Sequence, residues 1–183
     1  MSDLTTLADV EAWLKLKAGN SDEALLTRLI TAASGFVEAW CDRTFLSTSY
    51  TENRDGDGGR RLPMRNKPLT AVTSLSIGTQ TIPAGDANMT PGYFFNDSSI
   101  SLNGYCFHRG LGNVSITYTA GYATVPFEVA QATIELIALR YKERDRVGLS
   151  SETVAAQTTA FMVRDMPPSV ATLLQSYKNV VPA

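Results

Sequence analysis

Apolar residues recur at helical spacing in two segments near the start of the chain. The first helix is predicted to begin at Thr6, whose hydroxyl can form a capping pair with Asp9 three residues later. It is expected to end at Gly19-Asn20, because glycine favours the left-handed backbone that closes a helix. Ser21 is then expected to cap a longer second helix that reaches Trp40.

Two further helices are predicted in the last third of the chain. The third follows Pro126, since proline suits a first helical position, and it is expected to end near Gly148. The fourth begins near Pro167-Pro168 and carries a single apolar face.

The second and third helices have more apolar surface than one packing face requires. Each carries two adjacent apolar stripes, whereas one stripe suffices to pack a helix on a core. One stripe of the third helix begins at Phe127, and we expect its members Ile134, Ile137 and Tyr141 to face the core. The second stripes are expected to pack against neighbouring helices or another subunit. The candidate interface residues are Leu25, Leu29, Phe36, Val129, Leu136 and Leu139.

The middle of the chain has the alternating pattern of β-strands. Apolar and polar residues alternate clearly over 114–119 and 69–77, more briefly over 100–102, and weakly over 45–51 and 158–163. Ten of the thirteen glycines lie within 44–124, where they mark turns between strands. We therefore predict an α+β fold in one domain spanning 1–183. It is a small bundle of about four helices, with a β-rich insert at 46–117 between the second and third long helices.

Composition and charge exclude several classes of protein. The 183 residues carry sixteen basic and eighteen acidic side chains, a net charge of −2, which disfavours a strongly basic nucleic-acid binder. No apolar run reaches the about 18 residues of a membrane span, and the first ten residues lack the pattern of a secretory signal. Two cysteines do not form a disulfide framework, so we expect a reducing compartment.

The sequence offers little catalytic or metal-binding chemistry. The single histidine, His108, lies two residues from Cys106, so a Cys–His dyad is conceivable, although a half-buried cysteine beside a surface histidine is the favoured interpretation. Two cysteines and one histidine cannot supply the common zinc ligand sets. Residues 53–58 resemble the start of a calcium loop, but Met64 stands where the closing glutamate belongs. We predict no catalytic residue, cofactor or metal.

A basic cluster follows a glycine-rich turn in the middle of the chain. Asp55-Gly56 and Asp57-Gly58-Gly59 predict positive φ angles and the tip of a β-hairpin. The four basic residues after it are Arg60, Arg61, Arg65 and Lys67. Such a cluster can contact DNA phosphates or an acidic protein surface, and a loop in contact with solvent alone stays open as an alternative.

Three segments resemble the head–tail connector proteins of long-tailed phages, also called adaptor or head-completion proteins. They are residues 24–45, the stretch Tyr-Thr-Ala-Gly-Tyr-Ala-Thr-Val-Pro at 118–126, and Met-Pro-Pro-Ser-Val at 166–170 with the residues up to 178. The resemblance covers about half the chain, in the right order, and the β-rich middle fits longer members of the family. It implies a structural subunit without enzymatic activity.

The same resemblance implies partners and a location. Family members form a ring of about twelve copies beneath the portal, with DNA passing through the lumen without sequence specificity and a stopper or tail protein on the other side. The expected location is the virion, after assembly in the bacterial cytoplasm, with a phage or prophage as the source. For the basic cluster we favour an acidic rim of the portal or of the next tail protein over DNA in the lumen.

Three other functions stay open at this point. The β-rich middle also suits a tail-completion or tail-terminator ring protein. A small cysteine-dependent enzyme would depend on Cys106 and His108. A sequence-specific DNA binder is disfavoured, because the chain lacks a helix-turn-helix rich in Arg, Asn and Gln and its net charge is negative.

Overall fold

The computed structural model describes residues 2–17, 19–86, 90–144, 151–154, 157–160 and 166–179. The chain divides into two compact units: a helical unit formed by Met1–Arg43 with Val125–Ala183, and a β unit formed by Thr44–Thr124. Helices and strands both occur in quantity, so the predicted mixed α+β class is confirmed.

The helical unit contains four helices within the described residues. They are α1 (Leu7–Leu14), α2 (Glu23–Cys41), α3 (Phe127–Glu143) and α4 (Pro168–Leu174), the last continued by a 3₁₀ turn at Gln175–Tyr177. Helix α3 packs against each of the other three. The predicted end of this helix near Gly148 falls outside the described residues.

Helix α1 begins as predicted and ends earlier. The Thr6 hydroxyl accepts a hydrogen bond from the Asp9 backbone N–H at 3.2 Å, which confirms the cap. The predicted end at Gly19-Asn20 is wrong, because Lys15 takes the left-handed conformation at φ 57° and ends the helix there. The Leu16 N–H then bonds the Glu11 carbonyl at 2.9 Å, which satisfies the last turn.

The start of α2 is also shifted by one residue from the prediction. Asp22, not Ser21, stands at the N-cap, and its side chain does not cap the helix. The preceding loop is fixed instead by Asn20, whose side-chain oxygen accepts from the Asp22 N–H at 2.8 Å. The Asp22 carboxylate is thereby left available for the third helix.

The β unit follows α2 and precedes α3 in the chain. One antiparallel sheet has the order β1-β7-β3-β4, with β1 at Thr48–Gly56, β3 at Leu69–Ile77, β4 at Gln80–Thr81 and β7 at Gly110–Ala120. A second sheet has the order β2-β6-β5, with β2 at Arg61–Pro63, β5 at Gly92–Asn96 and β6 at Ser99–Asn103. In the helical unit, β8 (Ser151–Val154) and β9 (Gln157–Ala160) pair with each other.

Strands β7 and β3 show how far alternation predicts burial. In β7, Val114, Ile116 and Tyr118 are fully buried, as the pattern indicates. In β3 the pairing with β7 shifts register between Leu69 and Ala71 and between Val72 and Ser74. These irregularities turn Ala71 and Thr73 outward, although the sequence pattern places them with Leu69 and Leu75.

A polar network is built into the core of the β unit. The buried Tyr118 hydroxyl donates to the Glu52 carboxylate at 2.6 Å and accepts from the Asn66 amide at 3.0 Å, and Tyr50 stacks on its ring. Burial, together with the hydrogen bond to Glu52, raises the pKa of Tyr118 to about 12. The tyrosine therefore stays neutral and bonds two polar side chains that also bond each other, at 3.3 Å.

Candidate interaction surfaces

All four predicted basic residues are exposed on the β unit. Arg60 lies in the turn after β1, Arg61 begins β2, and Arg65 and Lys67 lie on the connection from β2 to β3. The Arg61 guanidinium donates to the Ser99 hydroxyl at 3.0 Å, which fixes one of the four charges against β6. The structure thus collects a positively charged surface over a short stretch of chain.

The turn before this cluster is not the hairpin tip that the sequence predicts. Strand β1 pairs with β7 and strand β2 pairs with β6, so the two strands belong to different sheets. Only Gly58 in this turn has a positive φ, at 90°. The Asp57 carboxylate accepts from the Gly59 N–H at 2.7 Å and thereby closes the turn on itself.

A second exposed feature of the β unit is Leu111, which is 91% exposed at the start of β7. Its position is fixed by polar side chains on both sides. The Asp55 carboxylate accepts from the Gly112 N–H at 2.5 Å, while the Asn113 amide donates to the His108 carbonyl at 2.7 Å. The apolar side chain is therefore held in solvent on a well-bonded backbone.

The structure separates the six candidate interface residues into two groups. Val129 and Leu136 are fully buried within the folded subunit, which fits packing against neighbouring helices, the first of the two expected alternatives. They face the interior because α3 is packed by three other helices and its second stripe is covered. The remaining four keep part of their surface exposed: Leu25, Leu29, Phe36 and Leu139.

A groove on the helical unit includes one of those four residues. Leu139 and Ala138 of α3 form its floor with Val170, and Trp13 and Pro167 form its walls. Glu135, Lys142 and Ser169 complete its lining, and the volume of this open groove is about 260 Å³. Trp13 is 51% exposed, so the groove presents an aromatic wall to solvent.

The first residue of α3 is exposed, although its spacing places it in the stripe that is expected to face the core. Phe127 begins a stripe whose later members Ile134 and Ile137 are buried, yet its own side chain is 91% exposed. The neighbouring Glu128 carboxylate accepts from the Tyr177 hydroxyl at 2.9 Å. Its own backbone N–H and this hydroxyl hold the pKa of Glu128 below its ordinary value.

Helices α2 and α3 are joined at one end by a cluster around Asp22. Its carboxylate accepts from the Tyr141 hydroxyl at 2.5 Å and from the Arg144 guanidinium at 3.1 Å. The guanidinium also lies over the Tyr141 ring, 4.4 Å from its centroid. The Tyr141 hydrogen bond, with the Arg144 hydrogen bond second, holds the pKa of Asp22 below its ordinary 3.8.

A Tyr141→Phe variant should lose stability at neutral pH, with the loss fading in acid. The lowered pKa of Asp22 means that its contribution is present above pH 3.8 and is lost as pH falls through the folded-state value. Urea unfolding of both chains at pH 7 and near pH 3 measures the difference. An equal difference at both pH values would contradict this assignment.

The Cys106 and His108 side chains are brought together, with the sulfur 3.3 Å from Nδ1 of the ring. They lie in the irregular connection between β6 and β7, not in a strand. The His108 N–H bonds the Cys106 carbonyl at 3.0 Å, so the contact follows from a tight local turn. No third carboxylate, histidine or cysteine joins them within the described ranges as a metal-binding group.

Comparisons with known proteins decide the family. Residues 3–180 match the head completion protein family, which is nearly the whole chain. The chain belongs to the head completion protein family. No match is found among curated proteins. No helix of the described part of the chain combines the length and the apolar content needed to cross a bilayer.

Solved structures similar to this member of the family come from gene transfer agent particles. A chain from the neck of an empty particle, computed with C6 symmetry, is 21% identical, with a TM-score of 0.64 over 98% of this chain and 92% of that one. Chains from a native virion and from a native neck computed with C12 symmetry are each 20% identical, with TM-scores of 0.62 and 0.61, covering 100% of this chain and 96% of theirs. At these identities the likeness establishes a shared fold.

The segment at 118–126 that resembles the family has a clear structural role in its first half. Gly121 adopts φ 117°, and its N–H bonds the Pro68 carbonyl at 2.9 Å. Tyr122 then exchanges backbone hydrogen bonds with the start of the unit, at Phe45 and Ser47. The Ala-Gly-Tyr sequence thus ends β7 and closes the β unit.

Proposed function

We propose that this chain is a structural head–tail connector subunit that forms a ring beneath a phage portal. The observation that carries the proposal is the match of residues 3–180 to the head completion family. The similar neck chains support it, since their particles were computed with sixfold and twelvefold symmetry, which suits a ring of about twelve copies. The subunit would act in the virion neck, without an enzymatic step.

In this proposal the ring joins the DNA-filled head to the tail. The portal lies on one side, a stopper or tail protein lies on the other, and DNA passes through the lumen without sequence readout. Assembly would take place in the bacterial cytoplasm, from a phage or prophage gene. The β unit, as an insert within the helical unit, would supply a surface for one of the neighbouring rings.

The basic cluster is the proposed contact with a neighbouring ring. Asp55 and Asp57 are among the nearby negative charges; the Asp55 carboxylate accepts from the Gly112 N–H of β7, and the Asp57 carboxylate accepts from the Gly59 N–H of its own turn. Arg60 and Arg61 are exposed beside them. Repeated around a ring, these charges would form a positive rim, which fits an acidic protein surface better than DNA that must slide past.

Mixing the purified chain with the portal of the same phage tests the proposal directly. Electron microscopy should show a ring stacked on the portal, and binding to a tail-end protein without portal binding would favour a tail-terminator function. An Arg60→Ala/Arg61→Ala chain should fold normally but bind its neighbouring ring more weakly. The difference from the wild type should shrink as salt rises, because exposed charges are screened over about 10 Å at 0.1 M salt.

The matched control removes two charges from the helical unit. Lys17 and Arg28 are exposed there, and a Lys17→Ala/Arg28→Ala chain has the same net charge as the first variant. It should bind like the wild type. Equal weakening by both variants would show a general charge effect, and no weakening by either would leave Arg60 and Arg61 as a loop in contact with solvent alone.

A further inference from the structure

The β1–β2 turn, residues 55–61, is hydrogen-bonded along its length to other parts of the β unit. It contains three glycines and ends on Arg60 and Arg61 of the basic cluster. The backbone bonds run from the Gly58 N–H to the Phe107 carbonyl at 2.6 Å, from the Phe107 N–H to the Gly59 carbonyl at 2.8 Å, and from the Leu102 N–H to the Arg60 carbonyl at 2.8 Å. The turn is therefore held by the connection before β7 and by strand β6.

The Asn113 side chain fixes the point at which the β1–β2 turn leaves β1. Its oxygen accepts from the Gly56 N–H at 2.9 Å, and its amide nitrogen donates to the His108 carbonyl at 2.7 Å. A Cβ on Gly56 would lie 1.9 Å from that same carbonyl oxygen, so the two backbones approach closely here. Bridging a backbone donor and a backbone acceptor requires a side chain that both accepts and donates, and the amide of Asn113 does both.

The Arg109 side chain holds the middle of the same turn. Its Nε–H donates to the Asp57 carbonyl at 3.2 Å. Its aliphatic stem lies beside Gly58, with Cγ 3.4 Å from the position that a Cβ there would take. Although Arg109 is an exposed basic residue, this contact engages its side chain with the backbone of the turn.

These bonds change what the turn costs to bind. A glycine-rich segment without them would lose much conformational freedom on meeting a partner, and that loss weakens binding. Here the backbone is already ordered in the free subunit. Residues 52–67 carry five basic and three acidic side chains, a net charge of +2, so the ordered surface stays positive after its own acids are counted.

We propose that Asn113 and Arg109 are positioning residues for the contact of Arg60 and Arg61 with a neighbouring ring. This inference rests on the proposed function and adds residues that act without touching the partner. They hold the β1–β2 turn in one conformation, so both arginines meet an acidic surface without a loss of backbone freedom on binding.

Amide hydrogen exchange of the free full-length chain tests the positioning itself. The Gly56 and Gly58 amides should exchange slowly in the wild type, because both donate to fixed acceptors. Asn113→Ala should raise their exchange rates roughly 10-fold, as expected for the loss of a hydrogen bond. Amides in the centre of β7 should stay protected, which shows that the variant is folded. Fast exchange of both glycines in the wild type, or unchanged rates in the variant, overturns the proposal.

A double-mutant cycle separates positioning from a general loss of stability. The probe is the purified portal, or the purified tail-end protein if that is what the wild type binds. Asn113→Ala should weaken binding roughly 10-fold in the wild-type chain. In a chain that already carries Arg60→Ala and Arg61→Ala, it should alter binding less than about twofold, because no arginine is left to position. Equal weakening in both backgrounds overturns the proposal.

Arg109→Lys repeats the cycle at an exposed position, where the change should leave the fold intact. It keeps the charge and removes the Nε–H donor, so it should weaken binding only in chains that retain Arg60 and Arg61. Asn53→Ala removes an amide from an exposed position of β1 and should change neither exchange nor binding.

The outcomes distinguish this inference from the proposed function. A wild-type chain that binds its partner ring, with Asn113→Ala and Arg109→Lys binding equally well, overturns the positioning and leaves the connector function standing. Weakening by Asn53→Ala as large as that by Asn113→Ala also overturns the positioning. A wild-type chain that binds neither the portal nor a tail-end protein overturns both.

Discussion

A Leu136→Asp variant is expected to lose the folded helical unit. Leu136 is fully buried on α3, which the three other helices of the unit pack against. Burying an unpaired charge and losing the leucine packing should together cost more than about 4 kcal/mol, a large part of the roughly 5–15 kcal/mol that holds a domain folded. Circular dichroism at 222 nm through a urea titration measures the loss.

Two control variants test whether the effect of the substitution comes from burying a charge at this position. Leu136→Met keeps the apolar volume and should cost less than about 1.5 kcal/mol. Leu139→Asp places the same charge three residues further on, at a half-buried groove position, and should leave the helices folded. A Leu136→Asp chain that unfolds at the wild-type urea concentration would contradict the core position of this residue.

A Gly121→Ala variant should strongly destabilise the β unit. At φ 117° an alanine is strained, and its Cβ would lie 2.6 Å from the Leu46 carbonyl oxygen and 2.8 Å from the carbonyl carbon. These are backbone atoms held by the pairing of Tyr122 with Phe45 and Ser47, so they cannot move aside cheaply. We expect a loss of about 3 kcal/mol or more in the free energy of unfolding.

Gly78→Ala is the matched control for this prediction. Gly78 also has a positive φ, 61°, but no atom lies within 4 Å of the position that its Cβ would take. Its cost should therefore be the backbone strain alone, about 1–2 kcal/mol. Equal urea midpoints for the two variants would show that close approach of the Leu46 carbonyl does not matter.

The sequence predicts those parts of the fold that depend on local signals. The Thr6 cap, the alternation of β7 and the proline-led starts of α3 and α4 are all local, and they lie within one or two residues of the prediction. The end of α1 was missed because Lys15 adopts a left-handed backbone that the sequence gives no reason to expect of a lysine. The glycine four residues later is a stronger local signal for the end of a helix, so the sequence pattern predicts the end of α1 too late.

The pairing of strands that lie far apart in the sequence is harder to predict than the local elements. Residues 54–67 have the composition of a hairpin tip, yet β1 pairs with β7 and β2 pairs with β6, both of which lie much further along the chain. Local turn residues cannot encode a choice between two sheets, because the choice depends on which distant strands offer a matching buried face.

The sequence predicts which helices carry a second apolar face, but not what covers that face. A double stripe correctly indicates that a helix has more than one apolar side, but it does not say which side another helix of the same subunit covers. Val129 and Leu136 are fully buried on a helix that three other helices of the same subunit pack against. Phe127 went unnoticed because periodicity places it in the stripe of Ile134, and only its position at the first turn of α3 leaves it uncovered.

Strand β1 bears on whether the free subunit aggregates before it is assembled. Its nine residues pair with β7 on one side only, and it ends the strand order of its sheet. An unpaired strand edge of this length can recruit the same edge of another molecule and start irreversible aggregation. Here the strand carries Glu52 and Arg54 as an ion pair, with Asn53 and Asp55 exposed between and after them. Charged and polar side chains on an edge strand disfavour its pairing with other chains, so we expect the free subunit to resist fibre formation through β1.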